Sequence, residues 1–436
     1  MLGSRKHVLR RLGAGSLALA LAAGLVACGD DDDDGGGGGS GGRVSIFGAF
    51  VSAEAQAFEA ALAPFEQRTG IDVSYEGTGD FNDLIRIRAQ ANDLADIVIF
   101  PNPALLAEFA REGRVQPLTG EALTSFQENY DESWQTFGSV DGQPYGMFVK
   151  ASPKSLVWYP RPEFEDAGYE VPETWEDMLA LSQQIVDDGG TPWCIGIQDG
   201  QSTGWVATDW MEDIVLRLHG PDVYDQWVAH EIPFDDPKII EAAEVMNEIW
   251  QNREFVRGGT QTILTTPFGD SPTPMFDDPP GCWLHRQASF ITTFFPDDVQ
   301  ASLTTDEPQA GVFPLPPING DAAPAMGGGD VAGMSVSNDA VLQTMAFLGT
   351  TEFAEGWAPA GGYISPHKGF DTSKYPTEIE RQIGQLVADA PAFRFDGSDL
   401  MPAEVGSGTF WTAMVQLVEG TPPERALAAV EASWPG

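Results

Sequence analysis

The sequence is poor in cysteine, histidine and lysine, and it lacks every common catalytic signature. Three cysteines in 436 residues exclude a disulfide-dense scaffold, and no C-x-x-C pair offers zinc ligation or thiol exchange. The five histidines are scattered, with no H-E-x-x-H pattern, so no metal-ligand set is visible. A G-x-S-x-G elbow and a Walker A loop are both missing, and the glycines of "GTGDFN" lack the third member of a dinucleotide fingerprint. Basic residues number 23 against 65 acids, a net charge of −42. Such a surface repels nucleic acid and gives no general attraction to anionic ligands. Carboxylates are so numerous that no particular glycosidase-like acid pair can be singled out. These absences suggest capture of a ligand rather than its turnover.

What is present begins at the N-terminus. Arg5, Lys6, Arg10 and Arg11 precede a small-residue and leucine run, Leu12 to Ala27, too short to span a bilayer. This is the layout of an export signal, residues 1–27. Leu25-Val26-Ala27-Cys28 resembles the lipobox of bacterial lipoproteins, in which the cysteine is lipidated and becomes the first residue. The Arg10-Arg11 pair leaves both the general and the twin-arginine export routes open. Residues 28–42, with five consecutive aspartates and a glycine tract, cannot bury apolar surface and read as a flexible tether. Loss of the leader's four basic residues deepens the charge from −42 to −46. Only six of the 23 basic residues are lysines, which suggests a salty habitat; the melting temperature should then rise with molar salt. With Cys28 committed to lipid, Cys194 and Cys282 either pair outside the cytosol or remain buried thiols.

The body has an α/β rhythm. "RVSIFGAF" reads as a strand, and "SAEAQAFEAALAPFEQRTG" as a helix with Ser52 as N-cap, Phe58, Ala61, Leu62 and Phe65 on one face, and Gly70 as stop. Pro64 implies a kink there or an early end. "IDVSYEG" (strand), "FNDLIRIRAQAND" (helix) and "ADIVIF" (strand) complete a βαβαβ unit, which predicts a parallel sheet. A second such region follows. "PETWEDMLALSQQIVDDGG" is a helix with a Thr174/Asp177 capping pattern, "WCIGIQ" a strand, and "FDDPKIIEAAEVMNEIW" a helix with Pro237 in its first turn. Residues 267–280 are loop, and "GVFPLPPING" is an extended connector.

Several stretches, weak singly, are specific in this order. They are "ADIVIFPNP", "KASPKSLVWYPRP", "PETWEDM", "TDWMEDIVLRLHGPDVYDQWVAHEIPF", "CWLHRQASFITTFFP", "FPLPPI", "MGGGDVAGM", "GWAPAGGYISPHKGF" and "FRFDGSDLMP". Together they resemble the extracellular solute-binding proteins of carbohydrate ABC importers, in particular the maltose-type and α-glucoside-binding group. The resemblance implies an α/β, two-lobed periplasmic-binding-protein-like fold (type II) with an interlobe cleft and hinge. Lobe I would comprise residues 43–149 and 321–362, and lobe II residues 150–320 and 363–436. It implies an α-glucoside ligand, partner permease subunits, no enzymatic activity, no metal or cofactor and a monomeric state. Another oligosaccharide, a polyol or a glycosylated osmolyte is the alternative ligand; a surface glycoside-cleaving enzyme and an envelope structural protein are the other classes.

A neutral sugar needs flat aromatics for its C–H faces and fixed polar groups for its hydroxyls. The resemblance places His285, Arg286 and Gln287 of "HRQ" on a polar segment facing the cleft. Asp80 and Phe81 would contact ligand from lobe I, and Lys150 at the crossover. Trp205 and Trp411 would be stacking platforms, with Asp209 beside the first. Gly329 would let the backbone approach the ligand, Asp330 would accept from hydroxyls, and Tyr363 would sit near the last crossover.

Overall fold

The computed structural model describes residues 42–320 and 324–435. The expected export leader, the expected lipidation at Cys28 and all but the last residue of the expected tether lie outside them.

The first βαβαβ unit forms as the apolar periodicity requires. Strand Arg43–Gly48 pairs in parallel with Asp72–Gly77, from Arg43↔Asp72 to Gly48↔Gly77, and with Ile97–Phe100 on its other side. Helix Ser52–Thr69 buries Phe58, Ala61, Leu62 and Phe65, and Gly70 ends it in the left-handed conformation. Its N-cap is Val51 rather than Ser52, which is already in the helix with φ 54, so the serine hydroxyl caps nothing. The helix continues through Pro64 without ending.

Two long antiparallel strands extend this sheet. Ala325–Met334 pairs with Ile97–Phe100 on one side and with Gly146–Pro153 on the other, while Phe393–Phe395 pairs with its first residues, giving six strands. Their glycines serve strand packing. A Cβ at Gly329 would lie 2.6 Å from the Lys150 carbonyl oxygen, and one at Gly327 would lie 2.9 Å from the Phe393 ring. Met326 belongs to one hydrophobic core and Val331 to Met334 mostly to the other, so this strand joins the two.

The second core differs from the expected parallel α/β layer. Its sheet is a three-stranded antiparallel one, with Leu156–Pro160 between His285–Arg286 and Ala310–Pro314. Part of the expected connector is thus a strand. The "WCIGIQ" stretch makes only isolated bridges, Trp193 pairing with Val256 and Leu284, because no neighbouring strand runs far enough to continue the ladder. Helices supply most of the volume, chiefly Trp175–Asp187, Trp205–Val228, Pro237–Trp250 and Phe410–Val418. Trp210 sits among them, 5.2 Å from the Trp193 ring and 5.7 Å from that of Trp250. Cys194 and Cys282 form a disulfide, with Cα atoms 5.5 Å apart, beside the bonded pair Cys194 N–Leu284 O.

Candidate functional site

Strand register brings the first group of polar side chains together. Lys150 faces Asp330 directly across the two long strands. Lys150 is 2% exposed, and its ammonium pairs with the carboxylate of Glu54. Glu54 lies in the first turn of helix Ser52–Thr69, where the helix dipole favours an anion. Burial pushes the Asp330 carboxyl up to about 7, and Lys150 opposes that shift. The Phe50 ring lies 5.9 Å from the Lys150 ammonium. This group can both donate to and accept from hydroxyls.

The second group is an ion network on one buried face of helix Trp205–Val228. Asp209, Glu212, Asp213 and Arg217 recur at helical spacing, and all four are buried. Lys154, between the strands Gly146–Pro153 and Leu156–Pro160, bonds Asp209 at 2.9 Å and also Asp396. Arg286 bonds Asp213 at 2.9 Å and lies 3.8 Å from Asp209, while Arg217 also pairs with Asp213. Glu212 accepts from the backbone amides of Gly397 at 2.6 Å and Ser398 at 3.1 Å. Burial raises Asp209 to about 8, partly offset by Lys154. Burial and then Asp396 raise Glu212 well above the usual carboxylate range. Burial also acts on Asp396, but Lys154 and hydrogen bonds hold it below the ordinary value. A low-dielectric network of this kind positions its members rigidly and is costly to break.

The "HRQ" segment belongs to this interior. His285 Nδ1 lies 2.9 Å from the Cys194 carbonyl oxygen, and burial lowers its pKa to about 4. The Gln287 side-chain oxygen accepts from the Ala288 amide. Some of the segment's polar atoms make no hydrogen bond: Arg286 Nε and Nη1, His285 Nε2 and Gln287 Nε2.

Aromatic residues form the third group. The indole N–H of half-buried Trp205 donates to Asp199 at 2.9 Å, and its ring meets Phe268 edge-on at 5.2 Å. The Lys154 ammonium lies 5.6 Å from the same ring. Trp411 packs against Gly204, where a Cβ would lie 2.6 Å from the Trp411 carbonyl oxygen and φ is +128, so both space and backbone require glycine. The Trp411 indole N–H has no partner. Tyr363 is buried and stacked on Trp357 at 4.8 Å.

The structure therefore brings Lys150, Gly329 and Asp330 together, and separately Trp205, Asp209 and Arg286. Trp411 joins the helix end that carries Trp205. Asp80 is exposed at the start of helix Phe81–Ala91, and Phe81 is buried on Phe47 at 5.3 Å. A cavity of about 140 Å³ includes Glu54 and Tyr363 in its lining. A wider groove of about 1040 Å³, lined by Arg86, Ala104, Glu108 and Met401 among others, holds none of the predicted residues. Sequence reasoning missed Glu54, Lys154 and Asp396. The signal for Lys154 was available, since only six lysines occur and two fall in "KASPKS". Among the described residues no group of potential metal ligands is present, and no helix is long and apolar enough to cross a membrane.

Comparison with known proteins agrees with this architecture. Residues 51–262 match the family model described as bacterial extracellular solute-binding protein. The chain is 46% identical over 396 residues to the osmoprotective compounds-binding protein GgtB of Synechocystis sp., covering 90% of this chain and 92% of that one. It is 37% identical over 404 residues to the alpha-glucosides-binding periplasmic protein AglE of Rhizobium meliloti, covering 90% and 87%. Among solved structures, the solute receptor AcbH matches with a TM-score of 0.78 at 17% identity, covering 90% of this chain and 98% of that one. Maltose-bound MalE3 of T. maritima matches with a TM-score of 0.71 at 16% identity, covering 89% and 98%. At these identities the structures establish the shared two-lobed α/β fold. The chain belongs to the bacterial extracellular solute-binding proteins, a family of binding proteins rather than enzymes.

Proposed function

We propose that the chain captures an α-glucoside of the maltose, trehalose or sucrose type and presents it to permease subunits at the membrane. The observation that carries this reading is the convergence of Lys150 and Asp330, opposite each other on paired strands, with Glu54 from the first turn of helix Ser52–Thr69. Donors and acceptors held there on rigid elements, with Trp205 and Trp411 as flat apolar faces, suit a neutral polyhydroxylated ligand. Asp209, His285 and Arg286 act from behind, bracing the Trp205 end of its helix. Residues 43–149 with 321–362 would form one lobe, and 150–320 with 363–436 the other. Contacts from both lobes exist together only when they close, so ligand shifts the open–closed equilibrium, and the permease reads the closed form. The protein works as a monomer on a lipid anchor at Cys28. A second reading, an osmoprotective solute such as a glycosylated polyol, is supported by the 46% identity to GgtB.

A thermal-shift screen with maltose, trehalose, sucrose, glucose, polyols, amino acids and short peptides tests both. Ligand at a hundred times its Kd stabilises by about 2.7 kcal/mol. A response confined to α-glucosides supports the first reading, and one confined to polyols or glycosylated polyols supports the second. A response only to amino acids or peptides sinks both.

A further inference from the structure

Three connections join the six-stranded sheet to the second sheet and its helices. Strand Gly146–Pro153 runs through Lys154 and Ser155 into Leu156–Pro160. Strand Ala310–Pro314 leads to Ala325–Met334, and strand Phe393–Phe395 leads to helix Phe410–Val418. On the six-stranded side the three meet in one row, because Gly327 pairs with both Pro153 and Phe395. On the other side all three are tied to helix Trp205–Val228.

The ties are buried side chains. Ser155 Oγ donates to Asp213 at 2.9 Å and accepts from the Met326 amide at 2.9 Å. The Ser155 carbonyl accepts from the Leu315 amide at 2.9 Å, so this one residue joins the first connection to both ends of the second. Arg217, paired with Asp213, donates through Nε to the Leu315 carbonyl at 3.0 Å. Glu212 holds the third connection through the Gly397 and Ser398 amides, and the Tyr224 hydroxyl donates to the Phe395 carbonyl at 2.8 Å. Ser155, Glu212, Asp213, Arg217 and Tyr224 are each at most 5% exposed, and none lines the cavity or the groove described above. A polar network buried this deeply adds little stability over an apolar filling; what it supplies is fixed geometry.

We propose that Ser155 and Glu212 are positioning residues for ligand capture: they clamp the three connections to one helix face and so confine lobe closure to a single axis. The proposal rests on the closing mechanism put forward above, in which the lobes turn about these connections. The clamp acts without touching ligand. A connection released at one end lets the ligand-free protein spread over further orientations, and affinity falls with the fraction of molecules able to close.

The test compares Ser155→Ala and Glu212→Gln with a control, Ser182→Ala. The Ser182 hydroxyl is also buried and makes two bonds away from the connections, to the Met178 carbonyl at 2.8 Å and from the Trp193 indole at 3.0 Å. Spin labels at Glu121→Cys and Glu244→Cys, exposed on a helix of each core, report the interlobe distance by pulsed electron resonance. A Cys28→Ser background leaves no free thiol to compete, since Cys194 and Cys282 are bonded to each other. Without ligand, the wild type and Ser182→Ala should share one narrow distance distribution, and both clamp variants should broaden it. Titration calorimetry with maltose, trehalose, sucrose and sorbitol should show binding weakened about two- to tenfold in the clamp variants and unchanged in Ser182→Ala. Clamp variants that lose melting temperature but keep the wild-type distribution and affinity overturn the proposal, and so does equal broadening in Ser182→Ala. Should one clamp variant fail to fold, the other decides; failure of both makes these groups supports of the fold and overturns the proposal too. The distance distribution needs no ligand. A wild type that binds none of the four compounds therefore counts against the sugar reading, while the distributions still decide the clamp.

Discussion

Replacing Lys154 with methionine removes the one ammonium that bonds both Asp209 and Asp396 inside the protein. Methionine fills similar volume, so the perturbation is chiefly electrostatic. The carboxylates left behind respond by taking up a proton. Asp396, which Lys154 holds below the ordinary value, is ionised in the wild type. Protonating a carboxyl of ordinary pKa about 3.9 at pH 7 costs about three units at 1.36 kcal/mol each, or about 4 kcal/mol. That falls within the about 3–5 kcal/mol typical of breaking a buried ion pair by removing one partner. The same cost is about 1.5 kcal/mol at pH 5. For a fold of ~400 residues the unfolding entropy is about 0.8 kcal/mol per degree near the midpoint. The variant should therefore melt about 5 °C below wild type at pH 7 and about 2 °C below at pH 5. Differential scanning calorimetry at constant ionic strength measures both, and adding Asp396→Asn should recover most of the loss. A Lys154→Met protein melting with the wild type at pH 7, or a deficit independent of pH, would refute the reasoning.

The remaining predictions concern the disulfide, pH and the aromatic platform. Cys194 and Cys282 lie 88 residues apart, and closing that loop contributes about 4–5 kcal/mol in the chain-entropy model, so the double alanine variant should melt about 5–6 °C lower. A loss under about 1 °C excludes this account. Asp209 and Asp330 are raised to about 8 and about 7, so the folded state keeps protons that the unfolded chain releases from about pH 4 upward. Their linked stability therefore falls as pH rises from about 4 to about 8, whereas that of Asp396 is lost only as pH falls below about 4. Melting temperature should decline across about pH 6.5–8, above the range in which buried neutral His285 and His367 oppose the trend, and less so in Asp209→Asn and Asp330→Asn; a steady rise there contradicts the assignment. Trp205→Ala should weaken sugar binding tenfold to a hundredfold by titration calorimetry, Trp205→Phe much less, and Asp199→Ala to an intermediate degree through loss of the indole's acceptor.

The elements that were legible in the sequence are those whose pattern is local. Phe58, Ala61, Leu62 and Phe65 form the buried stripe of their helix because a period of 3.6 places them on one side whatever lies opposite. Trp175, Trp250 and Trp357 are buried in the core. Thr174 caps its helix through the Asp177 amide, since that bond spans only three residues. Where tertiary partners decide, local reading failed. Ser52 had the right chemistry for a cap, but the chain enters the helix one residue earlier. Trp193 to Gln198 had strand composition, yet a strand needs a continuous partner and here finds only single bridges. The close approach of the Lys150 backbone to Gly329, for which its missing side chain makes room, is likewise invisible in the sequence.

The sequence by itself determined the class of the protein: the acid-rich composition, the absence of catalytic motifs, the βαβαβ start and the ordered family stretches all follow from residues close together in the chain. Only the tertiary structure decided which polar side chains face one another. Lys154 meets Asp396 across 242 positions, and Lys150 meets Glu54 across 96. A charge's role depends on which partner and how much water it finds, and neither is written in its neighbours. Arg286, conspicuous in sequence, is held inside by Asp213, while Glu54 and Ser289, plain members of a helix and a turn, line the cavity.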